Sequence, residues 1–415
     1  MMKMVLSEYR KLFKRPISWL LLVVIVIMTL YQCHGIYHRT ILKQYGNPRE
    51  IVQEVDGIAY FRQADQVLHQ YRGPASQEMY ARIKADYHDM LDMYYLNAKP
   101  LNDDEIPYYD TDALLAVYTG IYQNQPNIHF NLDVISADDG GKSDEEALEW
   151  YGWLLDRDAA FNEVYHLKGY PEIKAQLASV YEAREIIFDS TIPNNLVLDA
   201  FDQMNFFYLL ILSFLLANLF SQEKTTHMDA LINSSPRGYR QTAAAKCWCA
   251  IGLAVIVFAL HALTVLLYSA WMLPVRDWSL WVMNMGGAYY TLEPYQGLYT
   301  YRTLMIYLSM NMLVCLISMA MLTAFLSYLT NHQLLTYGLM VVWTVLPIFM
   351  THELSRLFQV RMLEGLKYLQ IQNDQLSVFN GEILYHIHIY WLMWIVLTIG
   401  MGLLIHWRFQ RYRIA

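Results

Sequence analysis

Six stretches of this sequence, 17–31, 204–220, 247–273, 304–329, 334–350 and 387–405, contain no Asp, Glu, Lys or Arg. About 20 largely apolar residues wound as a helix cross the hydrocarbon of a bilayer, and each stretch reads as one such crossing. Backbone N–H and C=O groups find no water at that depth, so the runs must satisfy their own hydrogen bonds as helices. A chain with 55% hydrophobic and only 16% charged residues is also not an ordinary soluble protein. The expected fold class is an all-α integral membrane protein with six transmembrane helices. An even number of crossings puts both termini on one side.

The basic residues say which side. Lys3, Arg10, Lys11, Lys14 and Arg15 precede the first span, Lys224, Arg237, Arg240 and Lys246 follow the second, and Arg408, Arg411 and Arg413 follow the sixth. Against them stand only Glu8, Glu223 and Asp229. Excess Lys and Arg in short flanking segments mark the cytoplasmic face, so the expectation is a multi-pass protein of the cell membrane with both termini cytoplasmic. Residues 38–202 are the reverse, with 13 Lys/Arg against 29 Asp/Glu, and are expected outside as a large, mainly helical extracytoplasmic domain between the first and second spans.

The expected organisation follows in order. A cytoplasmic amphipathic helix (1–15) leads into transmembrane helix 1 (16–37), the acidic extracytoplasmic domain (38–202) and transmembrane helix 2 (203–220). A charged cytoplasmic segment (221–246) and transmembrane helix 3 (247–273) come next, then an outer aromatic loop (274–302) and transmembrane helices 4 (303–329) and 5 (334–350). An outer amphipathic or re-entrant segment (351–385), transmembrane helix 6 (386–406) and a cytoplasmic tail (407–415) complete the chain. In the outer domain, Ile51, Val55, Ile58 and Phe61 share helical spacing, as do Met79, Ile83, Tyr87, Met90 and Tyr94. Ile128, Phe130, Leu132 and Val134 alternate as a strand would. Cys33, Cys247, Cys249 and Cys315 lie in or beside spans, so no disulfide framework is expected in the domain.

Residues 221–246 hold the strongest functional signal. Their charges exclude them from hydrocarbon, and Asn233 to Gly238 form a turn midway, so the segment reads as helix, turn and helix on the cytoplasmic surface. Glu223, Leu231, the run Ser235-Pro-Arg-Gly-Tyr-Arg240 and Lys246 resemble the cytoplasmic coupling segment of ABC-2 type permeases, the membrane subunits of ATP-driven exporters. The resemblance implies two permease subunits, a homodimer or heterodimer, around a shared pathway. It also implies that a cytoplasmic ABC ATPase docks on each coupling segment, and it makes Glu223, Lys224, Arg237 and Arg240 the ATPase-coupling candidates. An equal reading of the two arginines is that they anchor the loop to anionic headgroups.

Apparent catalytic motifs fail on their chemistry. Ser136 to Ser143 approaches a phosphate-binding loop, but serine replaces its first glycine, and Asp138 with Asp139 would oppose phosphate. A calcium loop over Asp138 to Glu146 lacks the alternating acidic register. His352-Glu-Leu-Ser-Arg356 has arginine where a zinc-protease helix needs its second histidine. Glu382 and His386 would share a helical face and could hold a metal with His388, but polar collars at span ends have this composition too. No catalytic residue, bound cofactor, metal or nucleic-acid partner is expected, and ATP would be hydrolysed by the partner subunit.

Asn218, His261 and Asn311 are the candidates for intramembrane polar contacts, because each is costly to leave unpaired in lipid. The six runs hold no carboxylate of the kind proton-coupled transport uses, which moves the energy source to another protein. The expected function is a permease subunit coupling a separate ATPase to movement of an amphiphilic peptide, lipid or drug. The alternative is a membrane-anchored receptor or assembly factor whose acidic domain binds a cationic peptide or other ligand.

Overall fold

A computed structural model describes residues 2–45, 51–74, 82, 187–202, 206–225, 238–280, 300–330, 332–350, 358, 376–379 and 382–411. Among the described residues the protein is mostly helical, with four helices long and apolar enough to cross a membrane. In chain order the helices are α1 (Met2–Phe13), α2 (Pro16–Tyr37), α3 (Gly57–His69), α4 (Ile192–Asp202), α5 (Phe207–Leu216), α6 (Ser221–Thr225), α7 (Gly238–Met272), α8 (Tyr301–Thr330), α9 (Gln333–Val345) and α10 (His386–Arg411). The four of membrane length are α2, α7, α8 and α10.

The centre of the bundle is α8. Of its most apolar stretch 61% is buried, against 17% in α10, whose Leu392, Val396 and Leu403 are exposed. Lipid tails are as apolar as leucine, so burial here reflects close packing, and α8 supplies the small residues that allow it: Ser318, Ala320, Ala324 and Ser327. It contacts α4, α5, α7, α9 and α10, while α7 contacts α1, α2, α4, α5 and α10.

Two expected spans take other forms. The second is a pair of helices, Ile192–Asp202 and Phe207–Glu223, bent by 45°. Its first half, α4, had been read as the end of the outer domain. It packs instead against α2, α7 and α8 with Leu196, Leu198, Ala200 and Phe201 buried. The fifth is short: α9 has 13 residues and runs into a 3-10 turn at Leu346–Ile348, where Pro347 cannot donate a helical hydrogen bond. At 1.5 Å per residue it covers about 20 Å, less than the hydrocarbon thickness.

The start of the outer segment also departs from expectation. Residues 51–56 form a strand rather than helix: β1 (Thr40–Tyr45) and β2 (Ile51–Asp56) pair antiparallel, Thr40 opposite Asp56 and Tyr45 opposite Ile51. Gly57 then donates its N–H to the Arg39 carbonyl at 3.0 Å, and a Cβ on it would sit 2.6 Å from that same oxygen. Only glycine lets the chain turn so closely from hairpin into α3. Among the described residues two shorter ribbons follow, β3 (Gly73–Pro74) with β4 (Ile187–Phe188) and β5 (Leu376–Phe379) with β6 (Glu382–Tyr385). Since Glu382 is in β6 and His386 opens α10, the two do not share a helical face as the metal reading required. Among the described residues no group of three or more His, Cys, Asp and Glu could hold a metal. The stripe residues Met79, Ile83, Tyr87, Met90 and Tyr94, the alternating run 128–134, the loop 136–146 and His352 to Arg356 lie outside the described residues.

The described parts of the segment between α2 and α4 are fastened to the ends of the long helices. Asp65 on α3 forms a bidentate ion pair with Arg276, just beyond α7, and Arg62 Nε donates to the Met272 carbonyl at 3.1 Å. Asp189 accepts from His69 Nδ1 at 2.6 Å and faces Arg72 at 3.4 Å, joining α3 to the segment before α4. Asn194 and Asn195 on α4 reach the Asp277 carbonyl at 3.0 Å and the Tyr301 hydroxyl at 2.6 Å.

Candidate functional site

At the end of the bundle where α2 begins, three buried charges meet a fourth at the surface. Lys246, about two turns inside α7, is 1% exposed, and Glu8 on α1 and Glu223 on α6 are 7% and 9% exposed. The Lys246 ammonium lies 3.1 Å from Glu223 Oε1 and 4.0 Å from Glu8 Oε2, donates to the Leu219 carbonyl, and stands 4.9 Å from the Phe220 ring centre. Lys11, half-exposed, closes the ring at 2.6 Å from Glu8 and 3.4 Å from Glu223. Two carboxylates and two ammonium groups balance, which is what allows burial of groups that singly would cost several kcal/mol each.

The local sequence explains how they converge. In α1, Glu8 and Lys11 are three apart and share a face with Leu12 and Tyr9, so the face turned to the bundle carries acid, base and apolar groups together. The Tyr9 hydroxyl occupies the space a Cβ of Gly252 would need, and that glycine lets α1 lie directly on α7. Burial, with the nearby Cys249 thiol, pushes the Tyr9 phenol up to about 12, so it stays neutral. Pro16 fits the first turn of α2, and Ser18 Oγ and Trp19 Nε1 donate back to the Leu12 and Phe13 carbonyls that end α1. Arg15 donates to Gln222 Oε1 at 3.0 Å. At the end of α5 the Ser327 hydroxyl of α8 donates to the Ala217 carbonyl at 2.8 Å and accepts from the Phe220 N–H at 3.1 Å. The break that carries Glu223 is thus held from two sides.

Partial burial draws the Lys11 pKa down, but the Glu8 and Glu223 carboxylates outweigh it and raise it above the ordinary lysine value. A raised folded-state pKa means its contribution is complete below the unfolded pKa and fades only as pH climbs through the raised one. Lys11 therefore stays charged throughout the neutral range.

A second polar group lies deeper. His261 on α7 is fully buried, with Nε2 3.2 Å from the Phe201 carbonyl and Nδ1 3.4 Å from Thr29 Oγ1. Thr29 Oγ1 is 2.7 Å from the Tyr208 hydroxyl, which donates to Gln32 Oε1 at 3.2 Å. A proton on Nε2 suits the carbonyl, and Nδ1 faces Thr29, whose own hydroxyl is within donating distance of the Ile25 carbonyl at 2.9 Å. The Phe201 carbonyl belongs to the last turn of α4, where helix geometry leaves carbonyls without partners, so His261 stabilises the bent helix at its break. His261→Leu keeps the volume and removes the donor. It should lower stability by about 1–3 kcal/mol in thermal unfolding of the solubilised protein, the cost of an unsatisfied buried carbonyl.

Comparison with family models, curated proteins and solved structures finds no match for this chain.

The seven residues singled out from sequence are thus dispersed. Glu223 is inside the ion cluster rather than on a docking surface. Lys224 and Arg240 fall in α6 and α7 with side chains outside the described set, and Arg237 lies outside the described residues. Asn218 Oδ1 accepts from Ser221 at 2.9 Å beside the same break, and Asn311 Oδ1 accepts from Trp391 Nε1 at 2.9 Å, fastening α8 to α10. His261 bridges three helices, α7 to α2 and α4. Sequence reasoning missed Glu8 and Lys11 as members of the cluster. Their signal was present, for Glu8 is the one acid in an otherwise basic arm.

Proposed function

We propose that this protein is the membrane-spanning permease subunit of an ABC exporter, with six spans, both termini cytoplasmic and its energy supplied by a separate ATPase. The observation that carries this reading is the cluster of buried Glu8, Glu223 and Lys246 with half-exposed Lys11. It makes the N-terminal helix, the break after the second span and the start of α7 one mechanical unit, adjoining the charged segment 226–237. A push on that segment would be transmitted to both helices that enter the bilayer from it. The likeness of Glu223 to Lys246 to an ABC-2 coupling segment supports the same reading. Here Glu223 and Lys246 act by positioning, and Lys224, Arg237 and Arg240 are the contacts offered to the ATPase. In this reading the bent α4 and α5 pair is the second crossing and α9 the core of the fifth.

The bent α4 and α5 pair and the short α9 suit a subunit that moves, since half-helices meet at breaks where small rotations are absorbed. The cargo would be an amphiphile, peptide, lipid or drug, as the apolar and aromatic helix faces favour.

Purification of the tagged chain from its native membranes in mild detergent is expected to bring down an ATP-hydrolysing protein together with a second membrane subunit. Arg237→Glu should lose the ATPase while the amount of permease in the membrane is unchanged. Glu223→Lys is a poorer probe, because it would set three ammonium groups around Glu8. Purification of the chain without any ATPase, or binding of a cationic peptide by the outer segment with no companion present, would favour the receptor reading instead.

A further inference from the structure

At the opposite end of the bundle from α1, the last turn of α2 carries two histidines that the coupling scheme does not use. His34 and His38 are four apart, and the His38 N–H donates to the His34 carbonyl at 2.9 Å, so helical spacing holds through the residue that caps α2. That spacing brings the two imidazoles together on one face, with ring centres 4.4 Å apart. Each ring is held through Nδ1. His38 Nδ1 lies 3.1 and 3.2 Å from the two carboxylate oxygens of Asp56, the last residue of β2, and His34 Nδ1 lies 3.4 Å from the Tyr268 hydroxyl on α7. Among the described residues neither ring makes another hydrogen bond, so both Nε2 atoms are unengaged. His34 is exposed, and the His38 side chain is 25% exposed. The 22 residues of α2 cover about 33 Å, so a hydrocarbon core of about 30 Å leaves the last turn at the polar boundary, open to water and ions.

A carboxylate can only accept, so Asp56 fixes the His38 proton on Nδ1 and leaves the Nε2 lone pair of the neutral ring available. The Tyr268 hydroxyl, accepting from His34 Nδ1, gives that ring the same tautomer. An imidazole that donates Nδ1–H to an oxygen while Nε2 stays free has the arrangement of a metal ligand, and two histidines at i, i+4 on one helical face bind one ion together. Zinc holds each imidazole nitrogen at about 2.0–2.1 Å, so two nitrogens on one tetrahedral ion stand about 3.3 Å apart, within reach of rings this close. Neutral nitrogen ligands suit zinc, copper or nickel rather than the oxygen-seeking magnesium and calcium. We infer that His34 and His38 bind one zinc ion, with Asp56 and Tyr268 orienting the two ligands and water filling the remaining positions. Asp56 stands behind His38 rather than on the ion, so the protein supplies two ligands and not three. Its Oδ1 also accepts from the Ile58 N–H at 3.3 Å, in the first turn of α3. The ion therefore joins the end of α2 to the start of α3 and, through Tyr268, to α7, an input independent of the ATPase.

The test uses the full chain in detergent, without an oligohistidine tag and with no ATPase present, so its outcome is separate from that of the permease reading. After treatment with a chelator and its removal, zinc chloride is titrated into the protein and the heat of binding is measured, with magnesium chloride as the reference. The expected result is one saturable zinc ion per chain and no response to magnesium. His34→Gln and His38→Gln should each abolish zinc binding. Asp56→Asn keeps a good cap for α3 and should weaken zinc affinity by about 10–100-fold, the effect of losing the partner behind a metal-bound histidine. Unfolding midpoints in chelator separate loss of the site from loss of the fold, and zinc should raise the midpoint of the parent but not of the two histidine variants. Absence of zinc binding, or binding of unchanged affinity in any of the three variants, would overturn the proposal.

Discussion

Lys246→Met is expected to destabilise the protein by about 3–5 kcal/mol, the range for removing one partner from a buried ion pair. The side chain length is kept, so packing changes little. What remains is two buried carboxylates facing one ammonium, Lys11, which is itself 44% exposed, and a Leu219 carbonyl without its donor. The loss should appear as a lowered unfolding midpoint of the solubilised protein and as faster protease cleavage within 3–14, because α1 is held to α7 through this cluster. Neutralising an acid at the same time, in Lys246→Met with Glu223→Gln, restores the charge balance and should recover much of the stability. A single variant within about 0.5 kcal/mol of the parent, the range of surface substitutions, would mean the four charges do not hold the arm.

Asp65→Ala should cost a similar amount at the far end. Asp65 is 1% exposed and Arg276 holds it with two parallel hydrogen bonds, so alanine leaves a guanidinium, 12% exposed, with its fork unmatched. A loss of about 3–5 kcal/mol is expected, against about 1 kcal/mol for Arg62→Ala, which gives up one exposed bond to the Met272 carbonyl. The double variant Asp65→Ala with Arg276→Ala should be more stable than Asp65→Ala alone, since no charge is stranded. Limited proteolysis of the outer segment in intact membranes gives the second readout. Unchanged cleavage in Asp65→Ala would show that α3 is fastened by other contacts.

The apolar runs carried the membrane helices because that signal is local: α2, α7, α8 and α10 announce themselves by length and lack of charge. The bent second span was harder, because α4 contains Asn194, Asn195, Asp199 and Asp202 and reads as a polar outer segment. Its burial depends on partners from α8 and from the loop after α7, which no local pattern reveals. The strand at 51–56 was misread for a geometric reason. Ile51 and Val55 are four apart, an even offset, so they share a face in a strand as well as in a helix. Glu223 and Lys246 stood within one recognised segment, yet their role waited on Glu8 and Lys11, more than 200 residues away.

That separation also fixes an order of events at the ribosome. Lys11 is made 212 residues before Glu223, and at about 5–20 residues per second the interval is roughly ten to forty seconds. Throughout it α1 has no α7 to lie on, and its lysines and arginines are left to the lipid headgroups. Helix α1 thus reaches its final seat only after α7, the second of the four membrane-length helices, has been made.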